Sequence, residues 1–256
     1  MAERFEYRYG DEVFVKVIDG DSVRFSKDDR ELTLEEWNRE INRHQSMAVK
    51  ETHPNPAIRL IERLRRLTLL ALARPRQDDV VADIGCESGF IAQAFVGRCK
   101  DLYLVDIDPA LLEKARARLG PRFHLVQSDV THIDLPDGAA DVTILSEILE
   151  HVPGERAALR EACRITRPGG RIVVSVPNDR LILSLKRILG RVLRRRFLGG
   201  LSEGLAIGHL RLYTKDSLRR LCSEFGTVQA AYYAPPFGLN IHLAFVPKRA
   251  DITAGR

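Results

Sequence analysis

A short stretch of the chain, residues 83–89, combines two carboxylates and two glycines at spacings that could bind a ligand. The apolar run at its start, residues 80–84, is typical of a strand buried on both faces of a parallel sheet. Gly85 and Gly89 permit a tight turn and a close approach of the backbone to a ligand, because glycine has no Cβ. Helical spacing of apolar residues resumes at 90–95 and predicts a helix whose N-terminal amides point at the bound molecule.

Glu87 narrows the class of ligand. The dinucleotide fingerprint G-x-G-x-x-G is not matched, because only Gly85 and Gly89 are present and a carboxylate lies between them. That carboxylate would repel a pyrophosphate, but it is compatible with a ligand that carries an ammonium and a sulfonium group. Residues 83–89, D-I-G-C-E-S-G, resemble the first motif, roughly D-x-G-x-G-x-G, of the class I (Rossmann-like) S-adenosylmethionine-dependent methyltransferases, with Glu87 in place of the middle glycine.

Two further carboxylates follow the next predicted strands. Asp106 follows the strand 102–105 and lies 17 residues after Gly89, near the ~20 residues expected before a carboxylate that holds ribose hydroxyls. Asp129 follows the strand 123–127, where this family places an acidic residue near the adenine amino group. Each carboxylate alone could be a helix cap. Together with Asp83, three carboxylates at successive strands predict one shared site.

The resemblance covers roughly residues 80–247 and includes the string R-I-T-R-P-G-G-R-I-V-V-S-V-P-N at 164–178, which is similar to small-molecule methyltransferases of the quinone-pathway group. It implies transfer of a methyl group from S-adenosylmethionine to a nucleophile. We expect a hydroxyl oxygen of a small or lipid-like acceptor, such as a quinone, an isoprenoid or a natural product. The implied cofactor contacts are Asp83, Gly85, Cys86 and Gly89 at the methionine end, Asp106 and Ile107 at the ribose, Asp129 and Val130 at the adenine, and Ser146 as a further contact.

A second set of reactive side chains comprises Glu147, Glu150 and His151. A helix would bring them to one face, because they stand at positions i, i+3 and i+4. They could then bind a divalent cation such as Mg²⁺, as the similar E-x-x-E-H sequence of quinone-pathway O-methyltransferases and small-RNA 2′-O-methyltransferases suggests. His209 is a candidate fourth ligand. The same pattern also occurs in relatives without a metal, and then His151 or His209, with Glu147, would act in general-base catalysis.

These residues require an α/β fold to position them. Strands and helices alternate from residue 80 onward, which predicts a doubly wound, seven-stranded, mostly parallel sheet with an antiparallel last strand in a methyltransferase domain, 77–250. The later elements are predicted as strands at 141–146, 171–176, 228–233 and 241–246, and as helices at 108–119, 156–166 and 214–226. Residues 251–256 are predicted to be a disordered tail.

Residues 1–76 form a predicted N-terminal cap. A hairpin at 12–18 and 22–26 precedes a helix at 32–48, which Thr33 and Glu36 open as a capping box, and a second helix at 58–73. The cap either packs on the sheet edge or closes over the substrate as a lid. In the second case the candidate contacts are Tyr9, His44 and His53.

An inserted basic amphipathic segment, 180–204, interrupts the second half of the sheet. Its core, 180–198, has seven basic and no acidic residues, and apolar residues recur at helical spacing. Three interpretations stay open: peripheral contact with an anionic membrane or a lipid-like substrate, a solvated cap on the active site, or a nucleic-acid contact, which the scarcity of aromatic residues makes the weakest.

Composition excludes several classes. A chain of 256 residues with a formal charge of +5 is ordinary globular material. The four cysteines form no C-x-x-C pair, so neither a zinc knuckle nor a disulfide framework is indicated. The charged N-terminus and the absence of an apolar stretch of ~20 residues predict a cytoplasmic protein. Two other functions stay open, an RNA methyltransferase and, because of Glu87, a catalytically silent cofactor-binding subunit. The sequence predicts no oligomeric state.

Overall fold

The computed structural model describes residues 3–9, 11–19, 22–33, 36–37, 40, 55–121, 123–181, 209–234 and 238–248. The inserted segment from residue 182 onward, most of the predicted helix 32–48 and the predicted tail 251–256 lie outside these residues. His44 and His53 also lie outside them, as does the side chain of Tyr9. Among the described residues, no helix is long and apolar enough to cross a membrane.

A seven-stranded sheet carries the predicted α/β fold. Five strands pair in parallel with one another, and the penultimate strand in space is antiparallel to both of its neighbours. The spatial order is β10-β11-β9-β8-β5-β6-β7. The strands are β5 (Val80–Ile84), β6 (Asp101–Asp106), β7 (His124–Gln127), β8 (Ala140–Ser146), β9 (Thr166–Pro177), β10 (Gly226–Tyr233) and β11 (Asn240–Pro247). The predicted fold class is confirmed.

Helices cover both faces of this sheet, as a doubly wound fold requires. They are α1 (Pro56–Ala73), α2 (Pro109–Leu119), α3 (Glu155–Ile165) and α4 (Lys215–Phe225). One apolar cluster joins Leu159 of α3 and Leu218 of α4 to one face. A second cluster joins Leu69 of α1 and Leu112 of α2 to the other face. Since both faces are buried, the central strands are almost continuously apolar.

The helix starts at 109 and 215 follow the local rules from which they were predicted. The Asp108 side chain accepts a hydrogen bond from Ala110 N at 2.8 Å, and proline occupies the first helical position of α2. Thr214 caps α4 in a capping box: its Oγ1 accepts from Ser217 N at 3.0 Å, and its own N–H donates to Ser217 Oγ at 2.8 Å.

The N-terminal residues form a second, antiparallel sheet of four strands in the order β1-β2-β3-β4. The predicted hairpin is present as β2 (Glu12–Asp19) and β3 (Ser22–Lys27). The outer strands β1 (Glu3–Tyr9) and β4 (Arg30–Leu32) were not predicted, although aromatic and charged residues alternate along β1. Phe14, Phe25 and Trp37 are buried in its small core. The capping box of Thr33 and Glu36 is formed.

The predicted helix at 90–95 is wrong. The structure has a turn there, followed by a short 3-10 helix, Ala92–Phe95. Gly97, at φ 73°, ends the segment. A stretch this short cannot sustain an α-helix by itself, and the burial of Phe90, Ile91 and Phe95 in the core fixes its path instead. No α-helix N-terminus therefore follows the glycine turn.

Candidate active site

The glycine turn after β5 has the conformation that its sequence predicts. Gly85 and Gly89 have φ values of 67° and 74°. Gly85 N donates to Val105 O on β6 at 2.7 Å, which fixes the turn against the next strand. A Cβ on Gly85 would overlap Cδ1 of Ile148, and one on Gly89 would lie 3.2 Å from Cβ of Ala115. Both positions therefore require glycine for space as well as for conformation.

Glu87, the departure from the family motif, also lies in the left-handed region, with φ 46°. This conformation explains why the family has glycine at the middle position of the motif. The Glu87 N–H donates to Oδ2 of Asp106 at 2.9 Å. The turn is thereby joined to the carboxylate that ends the neighbouring strand.

Asp106 lies buried between the turn and the loop that follows β6. Its Oδ1 accepts from Asp108 N at 2.9 Å, and its Oδ2 accepts from Glu87 N. Burial is the main cause that raises its pKa. Backbone hydrogen bonds from Asp108, Glu87 and Ile107 oppose this rise. A carboxylate has about four lone-pair positions, so acceptor capacity remains for a ligand hydroxyl. Ile107, 52% exposed, follows it at the surface.

Asp83 lies beneath the glycine turn. Burial raises its pKa to about 7, a backbone hydrogen bond from Ala92 opposes the rise, and the charges of Asp106 and Glu87 add to it. Its Oδ2 has no hydrogen-bond partner among the described residues. Cys86 is also buried, and burial raises the pKa of its thiol, so it is an unreactive small residue here. The buried carboxylate gives this site a latent negative charge.

Asp129 and Val130 follow β7 at the same edge of the sheet. Ser128 N donates to Asp106 O at 3.1 Å, which ties the end of β7 to the end of β6. The exposed Asp129 side chain accepts from Thr131 N at 2.7 Å and Thr131 Oγ1 at 2.6 Å. Ser146, at the end of β8, has a buried Oγ without a partner in the described part of the chain. The predicted cofactor residues therefore gather along one edge of the sheet.

The predicted helix at 147–151 is wrong, and with it the shared face of Glu147, Glu150 and His151. Glu147 has φ 59°, and its N–H donates to Ser175 O on β9 at 2.9 Å. The chain therefore leaves β8 in a left-handed turn, which no α-helix tolerates. The residues that follow form turns, with His151 N donating to Ile148 O at 2.9 Å.

The Glu147 side chain joins a buried polar network under α1. Its Oε1 accepts from Asn240 Nδ2 at 2.9 Å, and its Oε2 lies 3.4 Å from Arg65 Nη1. Arg65 also pairs with Glu62 at 2.8 Å. This arginine is buried, and no feature of the sequence distinguished it from the other arginines of α1.

A different set of three side chains comes together at the end of this loop. Ligand atoms of Glu150, His151 and His209 lie within 4.8 Å of one another, whereas Glu147 is not a member of the group. Glu150 is fully buried, and neither of its oxygens has a hydrogen-bond partner among the described residues. Burial, and then the charge of Glu147, raise its pKa well above the usual range. The three possible metal ligands are therefore two imidazoles and one carboxylate, whereas the sequence predicted two carboxylates and one imidazole.

Two residues that the sequence did not single out support His209. Its Nδ1 lies 2.8 Å from Oδ2 of Asp179, which follows β9. The Lys16 ammonium of the N-terminal sheet donates to the His209 carbonyl oxygen. Burial lowers the pKa of Lys16 to about 8, against the attraction of Asp179. A lysine inside the apolar strand V-F-V-K-V-I was the available signal for this contact.

Several known proteins are similar in sequence to parts of the chain. A protein family described as "Methyltransferase domain" matches residues 82–174. The chain is 32% identical over 107 residues to a malonyl-[acyl-carrier protein] O-methyltransferase of Serratia marcescens, covering 42% of each protein. It is 30% identical over 151 residues to a probable S-adenosylmethionine-dependent methyltransferase of Mycobacterium tuberculosis, covering 59% of this chain and 49% of the relative. The chain thus spans less than half the length of these relatives.

Solved structures of low sequence identity share the fold. One of them is the N-methyltransferase NodS of Bradyrhizobium japonicum in complex with S-adenosylhomocysteine, with a TM-score of 0.60 and 17% sequence identity. The superposition covers 84% of this chain and 97% of NodS. The sheet order and the glycine turn define a Rossmann-like methyltransferase fold. Over residues 82–174 the chain thus matches a methyltransferase-domain family, and it shares the fold of a solved methyltransferase structure.

Proposed function

We propose that the protein transfers a methyl group from S-adenosylmethionine to a small or lipid-like acceptor. The observation that carries this proposal is the convergence of the glycine turn, Asp106 and Asp129 at the ends of three adjacent strands. The turn residues and Asp83 would hold the methionine end, Asp106 and Ile107 the ribose, and Asp129 and Val130 the adenine. Ser146 would complete the contacts from β8.

The residues present fit this cofactor. Oδ2 of Asp83, which has no hydrogen-bond partner among the described residues, offers a buried negative charge for a sulfonium or ammonium group. Asp106 keeps acceptor capacity for a diol. When bound, the cofactor supplies an activated methyl group on a sulfonium leaving group.

The acceptor would lie against the loop after β8. His151 and His209, whose ring centroids are 4.9 Å apart, would take the proton from an acceptor hydroxyl, and Glu147 would hold α1 in place through Arg65. Alignment of donor and acceptor provides most of the acceleration, since well-oriented groups reach effective molarities of about 10⁵ M or more. The O-methyltransferase names of relatives that act in ubiquinone biosynthesis or on malonyl-[acyl-carrier protein] support oxygen as the methylated atom.

Calorimetry with S-adenosylmethionine and S-adenosylhomocysteine tests the proposal. We expect binding of both, and a loss of about tenfold or more in affinity in an Asp106→Asn variant, because a charged acceptor is replaced by a neutral one. An absence of binding in the unaltered protein would refute the proposal. A labelled-methyl assay on lipid, polar and RNA extracts then identifies the acceptor class.

A divalent cation at Glu150, His151 and His209 is a second proposal, favoured by the buried carboxylate of Glu150, which accepts no hydrogen bond from the described residues. Two imidazoles and one carboxylate suit a transition metal better than Mg²⁺, which prefers oxygen ligands. The same labelled-methyl assay, run with chelator and after readdition of Zn²⁺, Mn²⁺ or Mg²⁺, decides it. Unchanged activity in chelator would refute a required metal.

Contact with a membrane through 180–198 is proposed from the sequence, because this segment lies almost wholly outside the described residues. In a cytoplasmic protein its seven basic residues would contribute about 1 kcal/mol each near an anionic lipid surface. Sedimentation with phosphatidylserine vesicles tests it, with phosphatidylcholine vesicles as the control.

Two alternative functions have their own tests. Co-purification with RNA, with an affinity that falls steeply as salt is raised, would favour the RNA methyltransferase alternative. Labelled methyl in any extract would exclude a catalytically silent subunit.

A further inference from the structure

The loop that carries Glu150 and His151 has little regular structure of its own. It leaves β8 through the left-handed Glu147, and it forms turns up to the start of α3. Backbone carbonyls that no helix or strand satisfies need donors from elsewhere. The position of these two side chains is therefore set by whatever supplies those donors.

Two consecutive residues supply most of them. The Arg211 guanidinium donates to the carbonyl oxygens of Leu149 at 2.7 Å, Pro153 at 2.9 Å, and Val152. Leu210 N donates to the Glu150 carbonyl oxygen at 2.6 Å. Four of the five carbonyls from residue 149 to residue 153 thus accept from residues 210 and 211.

The same segment brings His209 to His151. Their rings meet edge to face with centroids 4.9 Å apart, and they are far apart in sequence. Arg211 follows His209 by two residues, and its Nε lies 3.4 Å from Glu155 at the start of α3. Its planar fork of donors can span several carbonyls at once, which a lysine ammonium cannot.

We propose that Arg211 is a positioning residue for methyl transfer: it holds the loop 149–153 against His209 and so fixes Glu150 and His151 at the acceptor. The effect on methyl transfer rests on the proposed function. The contact between the two histidine rings does not, and it can be measured without turnover.

Arg211→Met and Arg211→Lys are compared with Arg164→Met. Arg164 is a matched control, because it also binds two backbone carbonyls, those of Ile133 and Leu135 at 2.7 Å each, and its side chain is 31% exposed against 27% for Arg211. It holds a loop that contains none of the proposed acceptor-side residues. Thermal denaturation of both methionine variants shows whether each one stays folded.

The first readout is the nuclear Overhauser contact between the His151 and His209 rings in histidine-labelled protein. We expect Arg211→Met to lose it and Arg164→Met to keep it. The second is incorporation of labelled methyl from S-adenosylmethionine into an organic-solvent cell extract at saturating cofactor. We expect a fall of about ten- to a hundredfold for Arg211→Met, an intermediate value for Arg211→Lys and little change for Arg164→Met. Affinity for S-adenosylhomocysteine should stay within about threefold in all variants, since none of the proposed cofactor contacts is substituted.

Retention of the ring contact in Arg211→Met, or equal losses of incorporation in Arg211→Met and Arg164→Met, would overturn the inference. So would full activity of Arg211→Lys. If the unaltered protein transfers no methyl group at all, the proposed function fails instead, and the ring contact alone then decides whether Arg211 positions this loop.

Discussion

Gly85 and Gly97 have nearly the same backbone conformation, with φ 67° and 73°, but different surroundings. A Cβ on Gly85 would overlap Ile148, whereas one on Gly97 meets nothing within 4 Å. We predict that Gly97→Ala costs only backbone strain, about 1–2 kcal/mol, and leaves cofactor affinity unchanged. Gly85→Ala must displace the Ile148 side chain, which packs against this turn, and should weaken binding of S-adenosylhomocysteine at least about tenfold. Calorimetry measures both, and equal affinities would contradict the assignment of this turn.

The buried carboxylate of Asp83 predicts proton release on cofactor binding. Its pKa is raised to about 7, so at pH 6 most molecules carry the proton. A bound cation lowers that pKa, and the proton leaves. The affinity for the cofactor should therefore rise with pH up to about pH 7–8.

The same carboxyl predicts a pH dependence of stability without ligand. The free energy of unfolding should fall as pH rises from about 4 to 7, because Asp83 keeps its proton in the folded protein and has lost it in the unfolded chain.

Calorimetry at pH 6 in two buffers of different ionisation enthalpy counts the released protons. We expect up to about one proton per molecule at pH 6, fewer at pH 8.5, and none with Asp83→Asn. Identical binding enthalpies in the two buffers for the unaltered protein would contradict the prediction.

At the scale of residues, the sequence was informative where strand ends determine position. Asp83, Asp106 and Asp129 were predictable because parallel strands end at one edge of the sheet. Asp179, Lys16 and Arg65 were not, since each reaches the site through tertiary contacts between distant segments. The helical conformation of Glu147 was mispredicted for the same reason: its N–H pairs with Ser175 of β9 in a left-handed turn, and no local pattern encodes that pairing.

Among the elements, α4 allows a direct test of its capping box. Thr214→Ala removes the acceptor for Ser217 N and should lower the free energy of unfolding by about 1 kcal/mol. Ser223→Ala, in the same helix, removes only an exposed hydroxyl that donates to Arg219 O, and should be close to neutral. Urea denaturation of the two variants measures the difference. Equal effects would show that the cap does not stabilise α4.

Elements with strong periodicity or clear caps were predictable, and short apolar segments were not. The bounds of α2 and α4 follow from Asp108 and Thr214. Residues 90–95 have helical spacing, but tertiary burial determines their path, because a segment so short gains little from helical hydrogen bonds. The strand β1 was missed, although its alternation of aromatic and charged residues was visible.

In the molecule as a whole, Lys16 links the N-terminal sheet to the candidate active site. Its pKa is lowered from 10.5 to about 8, so the folded protein releases this proton before the unfolded chain does. The contribution of Lys16 to the free energy of unfolding should therefore rise by roughly 2 kcal/mol between pH 8 and 10.5. We predict that Lys16→Met abolishes this rise, whereas Lys248→Met, at the surface, does not. Denaturant titrations at several pH values test this, and parallel pH profiles for the two variants would contradict it.

The architecture of the whole molecule was predictable because alternating strands and helices leave few ways to bury both faces of a parallel sheet. The contact of the N-terminal sheet with His209 was not, since it is made by a buried lysine whose strand has the sequence of an ordinary hairpin strand.

Asp179 and His209 are in contact at 2.8 Å, although 30 positions separate them in the chain. The two ends of the intervening stretch are therefore already closed by the body of the protein. The entropic cost of closing a loop grows only slowly with the number of residues in the loop. A change in the number of residues between Asp179 and His209 should therefore cost the fold little stability, provided that the contact between them is kept.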